Sequence, residues 1–505
     1  MLNFTPIVRR LLLRRVDAAA RWSDLPGIEQ AQRRVLGQLT QRGAATEYGR
    51  EHGLRATDDY RAFSDMLPVA PYPQLRPLVM RMVNGEPDIL WPGVTRRFAQ
   101  SSGTSDGKSK YIPVTADSLR LNHYRGASDA VAHYLSLYPD SRIFSGKGFI
   151  LGGSFANELN LPAGVRVGDL SANLIDGINP LVNRFRVPSK EIALMEDWTA
   201  KVPALVEASL KADITNISGV PSWFMTVIKE VIKAAGADTI HDVWPHLEVF
   251  FHGGISMEPY RREYARLTDA SRMRYLETYN ASEGFFAVQD VIEPGSMRLI
   301  LDSGVFYEFV PLDEADDARP AHAVPAWEVE QGRTYALVIT AANGLWRYPI
   351  GDTVRIVSTA PLRIAIAGRT RHFINAFGEE VMVYNTDAAL ASACAQTGAS
   401  ALNYTVAPVF AEGGRRGRHE WLIEWSTPPA DPARFAAILD AALQHENSDY
   451  QAKRAGGIFL DPLTVIDARK GAFDAWLAAT GKLGGQRKVP RLSGSRDMMQ
   501  AIING

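Results

Sequence analysis

The stretch SSGTSDGKSK, residues 101–110, comes within one residue of a P-loop, whose pattern is G-x-x-x-x-G-K-[ST]. Three residues separate Gly103 from Gly107 where that loop has four. A P-loop must also open a helix with its final Gly-Lys-Ser, so that amides and helix dipole face the phosphates. Here KYIPVT, 110–115, follows instead. Its β-branched and aromatic residues favour extended backbone, and Pro113 would remove a helix hydrogen bond. The stretch therefore predicts strand, loop, strand, which sets it apart from a kinase-type P-loop. Its chemistry still suits an anion. Ser101, Ser102, Thr104, Ser105 and Ser109 carry hydroxyl donors, Gly103 and Gly107 let backbone amides converge, and Lys108 and Lys110 add charge. Taken alone, it fits a solvated Gly/Ser linker equally well.

Outward from this loop the chain changes texture twice. The first ~90 residues read as helical, with turn-rich VAPYPQLRP (69–77) interrupting them. After the loop come short β-branched runs that end in glycine: GFILGGS (148–154), ITNISGVPSW (214–223), LEVFFHGG (247–254) and RYLETYNASEG (274–284). Helical patterns lie between them, as in FMTVIKEVIKAAG (224–236). Strand, glycine turn, helix, repeated, predicts an α/β layered domain whose ligands collect at the carboxyl ends of the strands. From about 296, MRLILDSGVFYEFV (297–310) and TYALVITAANGLWRYPIGDTVRIV (334–357) alternate like antiparallel hairpins, with turns at Asp302–Gly304 and at Asn343–Gly344. Beyond GRTRHFINAFGEE (368–380), LNYTVAPVF (402–410) and HEWLIEW (419–425) read as strands and PARFAAILDAALQ (432–444) as a helix. The expected division is a large domain, 1–370, and a small mobile α+β domain, 371–505.

Composition bounds the function. A chain of 505 residues exceeds one ordinary core, and 46% hydrophobic with 22% charged residues is usual for a soluble globular protein. A formal net charge of −1 implies no bulk attraction to nucleic acid or to an anionic membrane, so neither is an expected partner. Cys394 is the single cysteine, which rules out an intrachain disulfide or a cysteine zinc cluster and fits a cytoplasmic location. The opening MLNFTPIVRRLLLRRVDAAARW reads as an amphipathic helix, because its apolar run, Leu11–Leu13, is too short for a signal core. No stretch approaches the ~20 apolar residues that span a bilayer. No internal repeat, low-complexity tract or long exposed heptad stands out, and a monomer is expected.

Three further stretches carry chemistry. In YNASEG, 279–284, an aromatic ring can stack on a base and a carboxylate can hold a metal bound to phosphates; alone, it is an ordinary strand-end turn. In LWRYPIGD, 345–352, an aspartate at a fixed strand position can accept two ribose hydroxyls; alone, it is a β-turn. In GQRKVPR, 485–491, glycine, proline and three cations make a loop able to reach a polyphosphate, or simply a basic surface loop. Together, and in this order, the four stretches resemble the adenylate-forming enzymes, and within them the auxin-responsive acyl-acid amido synthetase family; a bacterial member is the expectation. SSGTSDGKSK is similar to that family's phosphate loop, YNASEG to its second nucleotide motif, LWRYPIGD to its ribose motif and GQRKVPR to its C-terminal lysine loop. GRTRHFINAFGEE resembles the hinge-proximal motif of the wider superfamily, and Phe251–Gly254 stands where that superfamily has a glycine pair beside the nucleotide. The departures are Asn375 where many members have lysine, Ala281 where the plant enzymes often have serine, and Pro349 within the ribose motif.

The resemblance implies an α/β adenylate-forming fold and an ATP- and Mg2+-dependent reaction. A carboxylic acid becomes an acyl-adenylate, and an amino acid amine then displaces AMP. Ser101, Ser102, Gly103, Thr104 and Ser105 would hold the β- and γ-phosphates, and Glu283 would anchor the metal. Tyr279 would lie against adenine, Ser282 at the junction of nucleotide and acid, and Asp352 on the ribose. Arg369 would reach the nucleotide, and Lys488 would meet charge developing at the α-phosphate. His252 is assigned a structural place. The region 120–230 is expected to build the acyl pocket, with Trp223 and Tyr124, beside Phe224 and Leu121, as candidates, and Ala281 facing the acid. Indole-acetate-, jasmonate- or benzoate-like acids are what the family suggests. An acyl-CoA ligase shares the first half-reaction and differs in its acceptor. A binding protein without turnover is opposed by the joint presence of Glu283, Asp352 and Lys488.

Overall fold

In the computed structural model, residues 3–505 are described apart from 102–109, 158, 255–256, 258–259, 294, 313–321, 370–373, 375–380, 410–416, 448–449, 452–453, 455–459 and 481–488. The chain divides into two compact units. One comprises Met1–Gly254 and Asp269–Ala365, the other Ile255–Thr268 and Ile366–Gly505. The short stretch Ile255–Thr268 thus goes with the second unit, a grouping for which the sequence carries no signal.

The first unit opens with helices. Leu25–Gly43 starts where the Asp24 carboxylate accepts the Gly27 amide, and it buries Ile28, Val35, Leu36 and Leu39 on one face. A difference from expectation follows at once. Part of the turn-rich VAPYPQLRP is a helix, Tyr72–Val83, with Pro71 as its cap and Pro77 inside it. Pro73 is free at the first turn, where amides have no helical partner, and burial of Leu75, Val79, Met82 and Val83 offsets the bond lost at Pro77.

Strands follow as β1 (Arg97–Ser101), β2 (Lys110–Pro113), β3 (Lys147–Ile150), β4 (Arg166–Gly168), β5 (Arg186–Val187), β6 (Ile214–Gly219), β7 (Val249–Gly253), β8 (Arg274–Ala281) and β9 (Gly284–Val288). After them come β10 (Met297–Leu299), β11 (Val305–Pro311), β12 (Val324–Pro325), β13 (Thr334–Ala341), β14 (Tyr348–Thr359) and β15 (Leu362–Arg369). Among the described residues they form a three-stranded sheet, β2-β1-β4, and a twelve-stranded one. The order of the large sheet is β12-β11-β13-β14-β15-β10-β9-β8-β7-β6-β3-β5. Its β5-β3-β6-β7-β8 portion is parallel, as the repeated strand–glycine–helix pattern predicts. Every residue of β7 is buried, and each of its large side chains contributes roughly 1.5–3 kcal/mol. The helix Pro221–Ala235 shows the local logic: proline in its first turn, then a stop at Gly236, whose φ of 64° suits glycine.

The antiparallel half corrects one expected hairpin. β10 pairs with β9 and β15, not with β11, so Asp302–Gly304 turns the chain without joining neighbours. The turn is spent on other partners. Arg15 and Arg125 take the Asp302 carboxylate, and the Asn122 amide donates to the Ser303 carbonyl at 3.1 Å. The second expected hairpin forms, β13 to β14 through Asn343–Gly344.

The second unit holds β16 (Ser400–Val409), β17 (Arg418–Thr427) and β18 (Thr464–Asp467) in one sheet. The helices Val383–Thr397 and Pro432–Glu446 supply Leu390, Ala393, Phe435, Leu439 and Leu443 to its core. Among the described residues, no helix is long and apolar enough to cross a membrane.

Candidate active site

The phosphate-loop stretch has a strand on either side of it. β1 and β2 pair antiparallel with Ser101 opposite Lys110. Ser102, Gly103, Thr104 and Ser105 lie outside the described residues, as does the side chain of Ser101. Lys110, at the far root, donates to the Tyr348 hydroxyl at 3.2 Å. Its ammonium also lies 5.7 Å from the ring centres of both Tyr72 and Tyr348. The Tyr72 hydroxyl in turn accepts the Tyr111 amide at 2.6 Å. Tyr72 was read as part of a turn; it is instead the first residue of a helix and forms one wall of this root.

YNASEG closes the hairpin from β8 to β9, with Ala281 opposite Gly284. Two buried asparagines hold the turn. Asn122 accepts the Phe285 amide at 2.6 Å and donates to its carbonyl at 2.9 Å, and Asn343 donates to the Glu283 carbonyl at 3.1 Å. Ser282 and Glu283 are buried at the turn. Burial, with the nearby Glu283 charge among the lesser causes, pushes the Tyr72 hydroxyl up to about 12.

LWRYPIGD is shaped by irregular backbone. Ala336 pairs with Thr353 and Val338 with Pro349, so Leu337 alone faces Ile350, Gly351 and Asp352. Gly351 has φ 90°, a conformation that favours glycine. The bulge aims Asp352 inward, and its carboxylate accepts the Tyr279 hydroxyl at 2.6 Å. Upstream, Arg347 has φ 41° and donates to buried Glu308 at 2.8 Å and to the carbonyls of Ser64 and Leu67. Trp346 is buried, its indole donating to the Leu90 carbonyl at 3.0 Å. Three stretches far apart in sequence therefore meet, through Lys110–Tyr348 and Tyr279–Asp352.

The other candidates stand as follows. Arg369 ends β15, and its side chain lies outside the described residues. Lys488 lies outside them too. Its neighbours downstream are rooted in the second unit. The Pro490 carbonyl accepts Thr405, and Val406 and Arg491 share a backbone bond of 2.8 Å. The Arg491 guanidinium reaches Asn403, the Tyr404 carbonyl and the Tyr260 hydroxyl at 2.7–3.1 Å. Tyr124 is half-buried and donates to the Leu174 carbonyl at 2.9 Å. Trp223 is half-buried in the first turn of its helix, and Ala281 is half-buried at the end of β8. His252 is buried near Phe250 and Tyr275. Beside it, a Cβ on Gly253 would come within 2.4 Å of the Thr278 carbonyl, so only glycine fits.

Sequence reasoning missed Lys201. It is buried, and its ammonium donates to the carbonyls of Gly152 and Met195 at 2.7 and 3.1 Å, tying down the loop after β3. Burial lowers it to about 8, with Asp169 opposing. Nothing in the run DWTAKVPAL marks this lysine, because its partners are backbone carbonyls.

Comparison with known proteins places these features. The GH3 family N-terminal domain matches residues 26–201 and 178–273, its central domain 298–369 and its C-terminal domain 384–497. An indole-3-acetic acid-amido synthetase, GH3.8 of Oryza sativa subsp. indica, is 24% identical over 546 residues, spanning 92% of this chain and 88% of that protein. Another, GH3.3 of Arabidopsis thaliana, is 21% identical over 94% of this chain and 91% of its own length. Among solved structures, the AtGH3.15 acyl acid amido synthetase in complex with 2,4-DB is similar with a TM-score of 0.79 and 18% identity, over 99% of this chain and 97% of that one. A 2-hydroxyisobutyryl-CoA ligase in complex with 2-HIB-AMP has a TM-score of 0.60 and 13% identity, over 94% of this chain and 90% of the other. The fold is thus that of the acyl acid amido synthetases and of the adenylate-forming ligases beyond them. With all three of its domains matched in order along the sequence, the chain belongs to the GH3 family.

Proposed function

We propose that the chain is an ATP-dependent, AMP-forming acyl-acid amido synthetase that joins a small carboxylic acid to an amino acid. The observation that supports this reading most is the meeting of the phosphate-loop root, the YNASEG turn and the LWRYPIGD bulge through Lys110–Tyr348 and Tyr279–Asp352. The named activity of similar proteins points the same way. In the first step a carboxylate oxygen of the acid bonds to the α-phosphorus of ATP, and the bond to pyrophosphate breaks. In the second the amine nitrogen bonds to the acyl carbon, AMP leaves, and the amine loses a proton. Two anions must approach each other in the first step, so positioning and charge stabilisation dominate over proton transfer.

The residue roles are part of the proposal. The amides and hydroxyls of 101–105 hold the terminal phosphates, Asp352 takes the ribose hydroxyls, and Ser282 lines the junction with the acid. Arg369 reaches the nucleotide. Lys488 meets charge developing at the α-phosphate and carboxylate. Mg2+ takes one or two carboxylates and completes its shell with phosphate oxygens and water, and Glu283, buried at the YNASEG turn, is the carboxylate assigned to it in this reading. Bound there, the ion would neutralise polyphosphate charge. The acid is an auxin-, jasmonate- or benzoate-like one, with Ala281, Trp223 and Tyr124 near it. The two functional domains divide near residue 370, the smaller carrying Lys488, and the enzyme works as a cytoplasmic monomer.

Incubation with ATP, Mg2+, an acid panel and the twenty amino acids, read by mass spectrometry, tests this reading. An amide formed with stoichiometric AMP is the expected result. A thioester with coenzyme A, and no amide with any amino acid, would move the chain to the acyl-CoA ligases.

A further inference from the structure

We infer that Asn122 and Asn343 are positioning residues for nucleotide binding, their buried side-chain amides fixing the turn that presents Ser282 and Glu283 to ATP and its metal. The inference rests on the assignment of Glu283 proposed above and deepens it.

Ladder pairing is irregular beside this turn. Ser282 and Glu283 join β8 to β9, and the β8–β9 ladder slips between Tyr279 and Asn280, just before them. On the other side of β9, β10 pairs with Val288 and Ala287, and the Ile300 amide adds a bond to the Phe286 carbonyl at 2.8 Å. Phe285 lies beyond that ladder, and there Asn122 stands in for a strand neighbour. Its side chain accepts the Phe285 amide at 2.6 Å and donates to the carbonyls of Phe285 and Ser303 at 2.9 and 3.1 Å. Asn343 acts on the turn itself, donating to the Glu283 carbonyl at 3.1 Å and accepting the Leu345 amide at 3.2 Å.

Both asparagines are buried, so these bonds are made away from water. A backbone N–H only donates and a carbonyl only accepts, which fixes the orientation of each side-chain amide. The local backbone brings them there. Asn122 lies in the π-helical turn Leu119–His123, a wide turn of a kind frequent at functional sites. Gly284 leaves room for it, since a Cβ there would come within 3.0 Å of the Asn122 side-chain oxygen and 2.6 Å of the Phe286 ring. The Thr115 hydroxyl, donating to the Ala342 carbonyl at 2.6 Å, ties the segment before Asn122 to the one that carries Asn343. The Glu283 turn is therefore held between the chain that follows the phosphate-loop stretch and the chain that leads into LWRYPIGD. A misplacement of about 1 Å can cost about a hundredfold. Binding of the metal-bound nucleotide should thus depend on both asparagines, although the bonds they make to the turn and to β9 are to backbone.

The test is calorimetric binding of ATP, with Mg2+ and with EDTA, to wild type, Glu283→Gln, Asn122→Ala, Asn343→Ala and each asparagine variant combined with Glu283→Gln. Either asparagine variant alone should weaken ATP with Mg2+ about tenfold and leave ATP with EDTA within about twofold. In the Glu283→Gln background neither should weaken binding further by more than about twofold, because both act through the same carboxylate. Asn343→Ala supplies the comparison should Asn122→Ala fold poorly. Losses that are equal with and without Mg2+, losses that add in full to that of Glu283→Gln, or no loss at all would overturn the positioning role. Glu283→Gln binding ATP and Mg2+ as wild type does would instead overturn the assignment of Glu283 on which the inference rests.

Discussion

Asp352 and Glu283 are the side chains on which the nucleotide reading bears most directly. Removing the carboxylate in Asp352→Ala forfeits two charge-assisted hydrogen bonds to ribose, so the KM for ATP should rise about a hundredfold with the fold intact. Steady-state kinetics beside a thermal melt checks both halves of that statement. For Lys488 the expectation is a split between half-reactions. Lys488→Ala should lose about 10²–10³ in acyl-adenylate formation yet largely spare aminolysis of a supplied acyl-adenylate. Equal losses in both would show that the lysine has no special part in the first. The residue types for these roles were readable in the sequence, because carboxylate, hydroxyl and cation chemistry is carried by identity. The pairing of Tyr279 with Asp352 was not, since 73 positions separate them and nothing local to either specifies the other. Lys110 looked like a phosphate ligand, and its tyrosine surroundings came from Tyr72, within a run that reads as a turn.

The elements that place these residues depart from regular pairing close to them. β14 departs from its ladder at Ile350–Asp352, with Gly351 at φ 90°. Gly351→Ala should cost about 1–2 kcal/mol of stability and raise the KM for ATP by re-aiming Asp352, which chemical denaturation and kinetics measure separately. Four residues upstream, Arg347 is held at φ 41° by a buried bidentate pair with Glu308. Breaking the pair in Glu308→Leu should destabilise by about 3–5 kcal/mol, because the guanidinium stays buried and unpaired. Adding Arg347→Met to that variant should recover much of the loss. Full additivity of the two substitutions would show that the pair is not a unit. Strand–glycine–helix repeats made the parallel half of the large sheet readable. The failed hairpin at Asp302–Gly304 was not, because turn residues report a change of direction and say nothing of which strands become neighbours.

At the scale of the whole molecule, pH offers a test of the packing that carries the site. His123 is completely buried, and burial holds its imidazole down to about 4. Burial also lowers His133 and His241. An unfolded chain takes up protons on these groups near 6.5 while the folded chain does not, so stability falls as pH drops from about 6.5 toward 4. For His123 alone the change is on the order of 3 kcal/mol. Urea unfolding at pH 7 and pH 5 should show this slope in wild type and a shallower one in His123→Asn. The membership of Ile255–Thr268 in the second unit has no signal in the sequence, because it depends on contacts between segments distant in sequence.

Adenylation itself is tested most directly by ATP–pyrophosphate exchange with Mg2+ and a panel of aryl and alkyl carboxylic acids, without any amine. Label should return to ATP only when one class of acid is present; Lys488→Ala should lose about 10²–10³ of that signal, and Asp352→Ala should need about a hundredfold more ATP to reach it. Exchange that ignores the acid, or none with any acid in protein shown to bind ATP, would contradict formation of an acyl-adenylate by this chain.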